Sequence, residues 1–192
     1  MKLGIFGGTF NPPHLGHMIV AECVRDQLQM ERLLFIPSST PPNKRDGTVA
    51  PGPDRLTMTR LAIEGNRAFE LCDLEISRGG ISYSVDTLTA LEEMNPGAQL
   101  HLIIGADNLL EFETWKSPQR ILSKADLVVV TRPGFETKAE QGEFSRRATF
   151  VKIPNIGISG TDIRRKIKMG KSIRYLVPER VEEYITRTGI YR

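Results

Sequence analysis

The feature that most limits what this chain can fold into is an alternation. Short apolar runs rich in β-branched residues or leucine recur at 2–6, 32–37, 70–76, 99–105 and 126–130, each bounded by Gly, Pro or polar residues. Runs this short without a polar face read as strands buried on both sides. Between them, residues 17–30, 54–66, 84–94 and 118–125 carry apolar side chains at helical spacing. Strand and helix in strict turn call for parallel strands joined by crossover helices, so the expected fold is an α/β doubly wound parallel sheet. A last strand pair is expected at 149–153 and near 156–158, followed by helices at about 161–168 and 178–188. With 192 residues, 40% of them apolar, the chain can bury a full core without staples. One domain over 1–192 is expected, with 155–192 as a small helical portion.

Composition removes several function classes. Cys23 and Cys72 lie in apolar runs, and two thiols in a chain of this size point to a reducing compartment instead of a disulfide framework. No stretch approaches the roughly 20 apolar residues of a membrane span. Met1 runs directly into KLGIF without a signal-like region, so a soluble, cytoplasmic protein is expected. A net charge of +3 is too mild for the dense basic stripe of a nucleic-acid partner, but suits small phosphorylated ligands. Two segments lack periodicity: proline-rich 38–53, read as a binding loop, and charged 133–147, read as a solvated excursion.

Gly7-Gly8-Thr9-Phe10-Asn11-Pro12-Pro13-His14-Leu15-Gly16-His17 follows the first strand and enters the first helix. That is the ligand end of an open α/β sheet. Two glycines let the backbone approach a ligand closely, and the N–H groups of a helix start favour an anion. Two of the chain's three histidines, His14 and His17, stand three apart where this helix begins, so both rings can face one phosphate. Glycines after a strand often mark only a turn, and single histidines are often surface residues; the density of this segment argues against both. The spacing is not GxGxxG, and Gly170-Lys171-Ser172 is not a phosphate loop, because Arg165 stands where its first glycine would be.

A second segment, Gly157-Ile158-Ser159-Gly160-Thr161-Asp162-Ile163-Arg164, combines an apolar entry, a hydroxyl cap and a helix carrying an arginine. Ser159 or Thr161 can cap it, with Asp162 in the first turn. Alone it reads as an ordinary helix start with a basic face.

The first segment resembles the GGTFDPxHxGH signature of bacterial nucleotidyltransferases with an HxGH core, with Asn11 where aspartate is common. The resemblance implies a Rossmann-like nucleotidyltransferase fold. It places His14 and His17 on the ATP phosphates, with Gly7, Gly8, Thr9 and Phe10 around them. The second segment is similar to the family's ISSTxxR element, which implies that Ser159, Thr161 and Arg164 hold the outer phosphates; Gly160 replaces one serine. The planar fork of an arginine suits a pyrophosphate leaving group. Catalysis is thus expected from His14, His17 and Arg164.

The HxGH core does not choose among acceptors such as pantetheine phosphate, nicotinamide mononucleotide and nicotinate mononucleotide. Ser82-Tyr83-Ser84-Val85-Asp86-Thr87-Leu88 resembles the SYTxDTL segment of nicotinate mononucleotide adenylyltransferases. Gly105-Ala106-Asp107 followed by Phe112 and Trp115-Lys116 is similar to their GxD…F…W pattern, and 170–185 is similar to their tail. Pro41-Pro42-Asn43-Lys44-Arg45 resembles their PPHK loop. The implied function is transfer of AMP from ATP to nicotinate mononucleotide in NAD biosynthesis. Mg2+ would travel with the triphosphate, without a metal-binding residue assigned. Gly105 and Asp107 would contact the ATP nucleoside, and Thr9, Lys44, Arg45, Ser84, Thr87, Trp115 and Lys116 the acceptor. A homo-oligomer is compatible with this reading. Ser84 could equally be a simple cap, Trp115 a packing residue and Lys44 a solvated lysine.

Overall fold

In β2 (Arg32–Pro37), Leu33 and Phe35 are buried toward one side of a sheet while Leu34 and Ile36 are buried toward the other. That two-sided burial is why the run lacks a polar face. The computed structural model describes residues 1–40, 49–131 and 143–192; Lys44, Arg45 and the rest of 41–48 lie outside the described residues, as do 132–142. Among the described residues, six strands form one sheet in the order β3-β2-β1-β4-β5-β6, every pair parallel. The other strands are β1 (Lys2–Gly8), β3 (Phe69–Leu71), β4 (Gln99–Gly105), β5 (Asp126–Thr131) and β6 (Ala148–Lys152). The doubly wound parallel sheet is therefore the fold, and its order reverses direction between β1 and β4.

Helices cover both faces. Ala21 and Val24 of α1 (Leu15–Leu28) pack with Leu33, Phe35, Ile103 and Val128 on one side. Val85, Leu88 and Leu91 of α4 (Ser84–Met94), with Ile121 of α6 (Pro118–Lys124), pack on Leu3, Ile5, Leu102 and Val129 on the other. Neighbouring strand residues thus divide between the two clusters with the period-two pattern of a sheet. A third cluster joins Met58 of α2 (Gly52–Ile63) to Ile163 of α7 (Gly160–Lys168) and to Val181 and Ile185 of α8 (Glu179–Thr188). The C-terminal helices therefore lean on α2, and Leu15 N–H donates to Leu176 O at 3.0 Å, tying them to the start of α1.

Two expectations need correction. The strand expected at 70–76 covers only Phe69–Leu71, and the chain then turns into α3 (Leu74–Arg78). Cys72 N–H still reaches Phe35 O at 2.9 Å, after which the backbone bonds itself in helical fashion, Ser77 N–H to Asp73 O at 2.8 Å. No strand forms at 156–158, where Ile156 and Ile158 run without a ladder partner and turn into a cleft. The remaining shifts are at element ends: α1 begins at Leu15 instead of 17 and stops at Leu28, where Gln29 takes a left-handed φ of 51°.

Candidate active site

β1 and β4 are paired only from Lys2↔Gln99 to Ile5↔Leu102, although β1 runs to Gly8 and β4 to Gly105. Beyond Ile5 the two strands part, and a cleft of about 490 Å³ opens at the C-terminal edge of the sheet, at the point where the strand order reverses. Three helices begin at its rim: α1, α5 (Ala106–Leu110) and α7. The positive ends of these helix dipoles give the cleft a field that favours anions.

His14 and His17 stack at 3.7 Å between ring centroids with 23° between planes. The backbone N–H of His14 donates to His17 Nδ1 at 3.1 Å. When His17 is neutral its proton therefore sits on Nε2, leaving that atom as a donor. Beneath it Phe10, 2% exposed and at φ 45°, meets the His17 ring edge-on at 5.0 Å. Gly16 lies under the His14 ring: a Cβ there would come within 2.9 Å of His14 Nδ1. Without the bare Gly16 backbone the imidazole could not fold down against the helix.

Across the cleft, Ser159 caps α7, accepting Asp162 N–H at 3.1 Å and donating its proton to Asp162 Oδ2 at 2.8 Å. Its hydroxyl is engaged within the motif. Arg164 donates through Nη1 to Asn11 O at 2.8 Å and through Nη2 to Thr161 Oγ1 at 3.3 Å, so the two sequence motifs, 153 residues apart at this bond, close on each other directly. Gly160 belongs to that closure. A Cβ on it would lie 3.0 Å from Asn11 O and 3.5 Å from Arg164 Nη1. The missing serine is thus the space into which the Asn11 carbonyl fits. Gly160→Ser is expected to force α7 and that carbonyl apart and to lower stability by about 1 kcal/mol, read by thermal unfolding.

Among the sequence-expected residues, Thr9, Phe10, His14, His17, Asp107, Ser159, Thr161 and Arg164 line this cleft. Gly7 and Gly8 end β1 beside Ile36 and Pro37, and Gly105 is the residue from which α5 starts. Of the residues expected on the acceptor, Ser84, Thr87, Trp115 and Lys116 gather elsewhere, around the first turn of α4. The Tyr83 side chain leaves the start of α4 uncapped, with Ser84 its first residue. Lys116 Nζ lies 2.9 Å from Asp86 Oδ2 and 4.5 Å from the Tyr83 ring centroid. Trp115 is half-buried, tilted on Phe112 at 5.2 Å. Thr87 is 3% exposed and gives its proton to Glu75 Oε1 at 2.6 Å. This corner is joined to the end of β2 by Ser39 N–H to Ser82 Oγ, 2.9 Å, and by Ser82 N–H to Thr40 O, 3.0 Å.

Sequence reasoning missed the apolar wall of Ile153, Ile156 and Ile158, of which only Ile156 and Ile158 share a face by extended spacing, and assigned no site role to Arg55 or Tyr191. Arg55, 2% exposed, donates to Ala50 O, Thr9 O, Ser38 O and Ser39 O at 2.6–3.1 Å. Burial pushes its guanidinium below the ordinary arginine value, offset in part by Tyr191.

The chain matches the cytidylyltransferase-like family over residues 5–166. It is 41% identical to a probable nicotinate-nucleotide adenylyltransferase of Salinibacter ruber, across 100% of this chain and 98% of that protein. It is 43% identical to the protein of the same name from Desulfitobacterium hafniense strain Y51, across 100% of this chain and 96% of that one. It belongs to the nicotinate-nucleotide adenylyltransferase family. The fold is that of the Plasmodium falciparum nicotinic acid mononucleotide adenylyltransferase complexed with NaAD, with a TM-score of 0.83 at 16% identity over 99% of this chain and 97% of that chain. The cleft between β1 and β4 joins the HxGH segment to the Ile158–Arg164 segment, which has glycine at its third residue.

Proposed function

We propose that this chain transfers the adenylyl group of ATP to nicotinate mononucleotide, releasing pyrophosphate and forming nicotinate adenine dinucleotide, a step in NAD biosynthesis. The observation that carries the chemistry is the direct closure of Arg164 onto the Asn11 carbonyl. It puts a guanidinium, the α1 and α7 starts and the His17 Nε2 donor around one cleft.

The acceptor phosphate is already an anion, so the reaction needs no base to make a nucleophile. Its oxygen attacks the α-phosphorus in line; the new P–O bond forms as the bond to the bridging oxygen breaks, and that electron pair leaves with pyrophosphate. Catalysis then rests on positioning and on stabilising charge. His17 faces the reacting phosphate, His14 steadies the chain of phosphates, and Arg164 with Thr161 and Ser159 receives the leaving group. Ile153, Ile156 and Ile158 offer an apolar wall to the adenine, and Asp107 an acceptor to the ribose. Among the described residues no three His, Cys, Asp or Glu side chains cluster as a metal cage. Mg2+ would travel on the triphosphate oxygens, which needs few protein ligands. When bound, the ion neutralises phosphate charge.

For the acceptor, the uncapped start of α4 at Ser84 offers N–H groups to the pyridine carboxylate, and Trp115 a half-buried ring for stacking. Lys116 adds positive charge already shared with Asp86, and Thr87 supports the turn through Glu75. Lys44 and Arg45 remain the candidates for the acceptor phosphate. Free Cys23 and Cys72 accord with a cytoplasmic protein; no helix of the described residues is long and apolar enough to cross a membrane.

The test is pyrophosphate release from ATP and Mg2+ with nicotinate mononucleotide, nicotinamide mononucleotide and phosphopantetheine supplied separately. Nicotinate mononucleotide should give the highest kcat/KM. Preference for another acceptor keeps the phosphate chemistry and removes the roles given to Ser84 and Trp115.

A further inference from the structure

Asn11, 7% exposed, is where four parts of the chain meet. Its Oδ1 accepts the Tyr191 hydroxyl at 2.7 Å and Ala50 N–H at 3.0 Å, while its backbone carbonyl accepts Arg164 Nη1 at 2.8 Å. The bond from Tyr191 spans 180 residues of sequence. Tyr191 holds φ at 73°, a left-handed conformation that a non-glycine residue keeps only where its surroundings over-determine it. Its ring packs against the cluster of α2, α7 and α8, so the hydroxyl is delivered to Asn11 from a fixed support. Burial holds the phenol well above its ordinary pKa, which keeps the hydroxyl a donor at neutral pH.

We propose that Tyr191 is a positioning residue for the triphosphate side of the site: by bonding Asn11 it fixes the carbonyl on which Arg164 is aimed, and so presets that guanidinium for the pyrophosphate group. Tyr191 touches no reacting atom in this account, which rests on the adenylyl-transfer reading above. The same bond clarifies residue 11. The position needs an oxygen able to accept both the Tyr191 hydroxyl and Ala50 N–H, and either an amide or a carboxylate supplies one.

A second tyrosine provides a matched control. Tyr184, on α8, donates to Asp54 Oδ1 at 2.6 Å, a phenol bond to a carboxylate that leads to α2 instead of to Asn11. The experiment compares wild type, Tyr191→Phe and Tyr184→Phe by steady-state pyrophosphate release with ATP varied, together with thermal unfolding. Tyr191→Phe should lower kcat/KM for ATP by about 3- to 10-fold with the acceptor KM unchanged, whereas Tyr184→Phe should stay within about twofold of wild type whatever its effect on Tm. Wild-type ATP kinetics in Tyr191→Phe, or equal losses in both variants, overturn the positioning role. A wild-type protein that releases no pyrophosphate with any acceptor overturns the adenylyl-transfer reading itself, and the inference falls with it.

Discussion

His17→Ala is expected to lose about 100- to 1,000-fold in kcat, roughly 2.7–4 kcal/mol of transition-state stabilisation, the range found when one preorganised donor to a developing negative charge is removed. The assignment depends on the hydrogen bond from His14 N–H to His17 Nδ1, which leaves the proton of the neutral ring on Nε2 as a donor. Fixing the tautomer and ring in advance means that no reorganisation is required as charge moves onto the phosphates. Alanine also removes a partner from the first turn of α1, worth about 1 kcal/mol, so the fold should survive with a Tm lower by about 2–4 °C. Saturating rates of pyrophosphate release and a thermal melt separate the two effects. Near-normal turnover in the variant would sink the catalytic role of His17.

The largest effect on stability is expected at Arg55. This side chain is almost fully buried and its hydrogen bonds end on four backbone carbonyls from three segments: Thr9 after β1, Ser38 and Ser39 after β2, and Ala50 before α2. Arg55→Met keeps much of the volume but strands those carbonyls without a donor, each costing about 1–3 kcal/mol if left unsatisfied. Allowing for water entry and relaxation, the expected loss is about 3–5 kcal/mol, or roughly 10 °C in Tm for a chain of this size. Lysine should not rescue it, because a single ammonium carries three donors and lacks the planar fork that reaches several carbonyls at once. Urea unfolding of Arg55→Met and Arg55→Lys measures this directly. A change below 1 kcal/mol in either would mean that the carbonyls find other partners.

Much of this molecule was legible in the sequence because its information is local. β2 announces itself by apolar side chains on consecutive residues, and the first motif by glycines, prolines and paired histidines within eleven positions. What escaped is set by partners far along the chain. Nothing about Arg55 in PGPDRLTM distinguishes it from a solvated helix arginine; its burial is decided by carbonyls from β1 and β2. The third residue of the second motif had no visible reason to be glycine until Asn11 O was seen 3.0 Å from where a Cβ would stand. Ile156 and Ile158 have the composition of a strand, yet they make no ladder and serve as a cleft wall. The run 70–76 combined two elements because three strand residues and a five-residue helix are each too short to show a period.

The separation of β1 from β4 has a consequence for the order in which the chain acquires its chemistry. β1 can pair with β2 as soon as about the first forty residues exist, but its other neighbour begins at Gln99, and the bonds that bring Arg164 and Tyr191 to Asn11 come later still in sequence. Contacts of such separation carry the largest loop-closure entropy and form slowly. A half-assembled chain can therefore hold the GGTFNPPHLGH segment on a formed β-α unit and still lack the opposite wall of the cleft. Nucleotide then acts as a ligand of the finished fold alone, and its presence during refolding should slow unfolding more than it speeds folding.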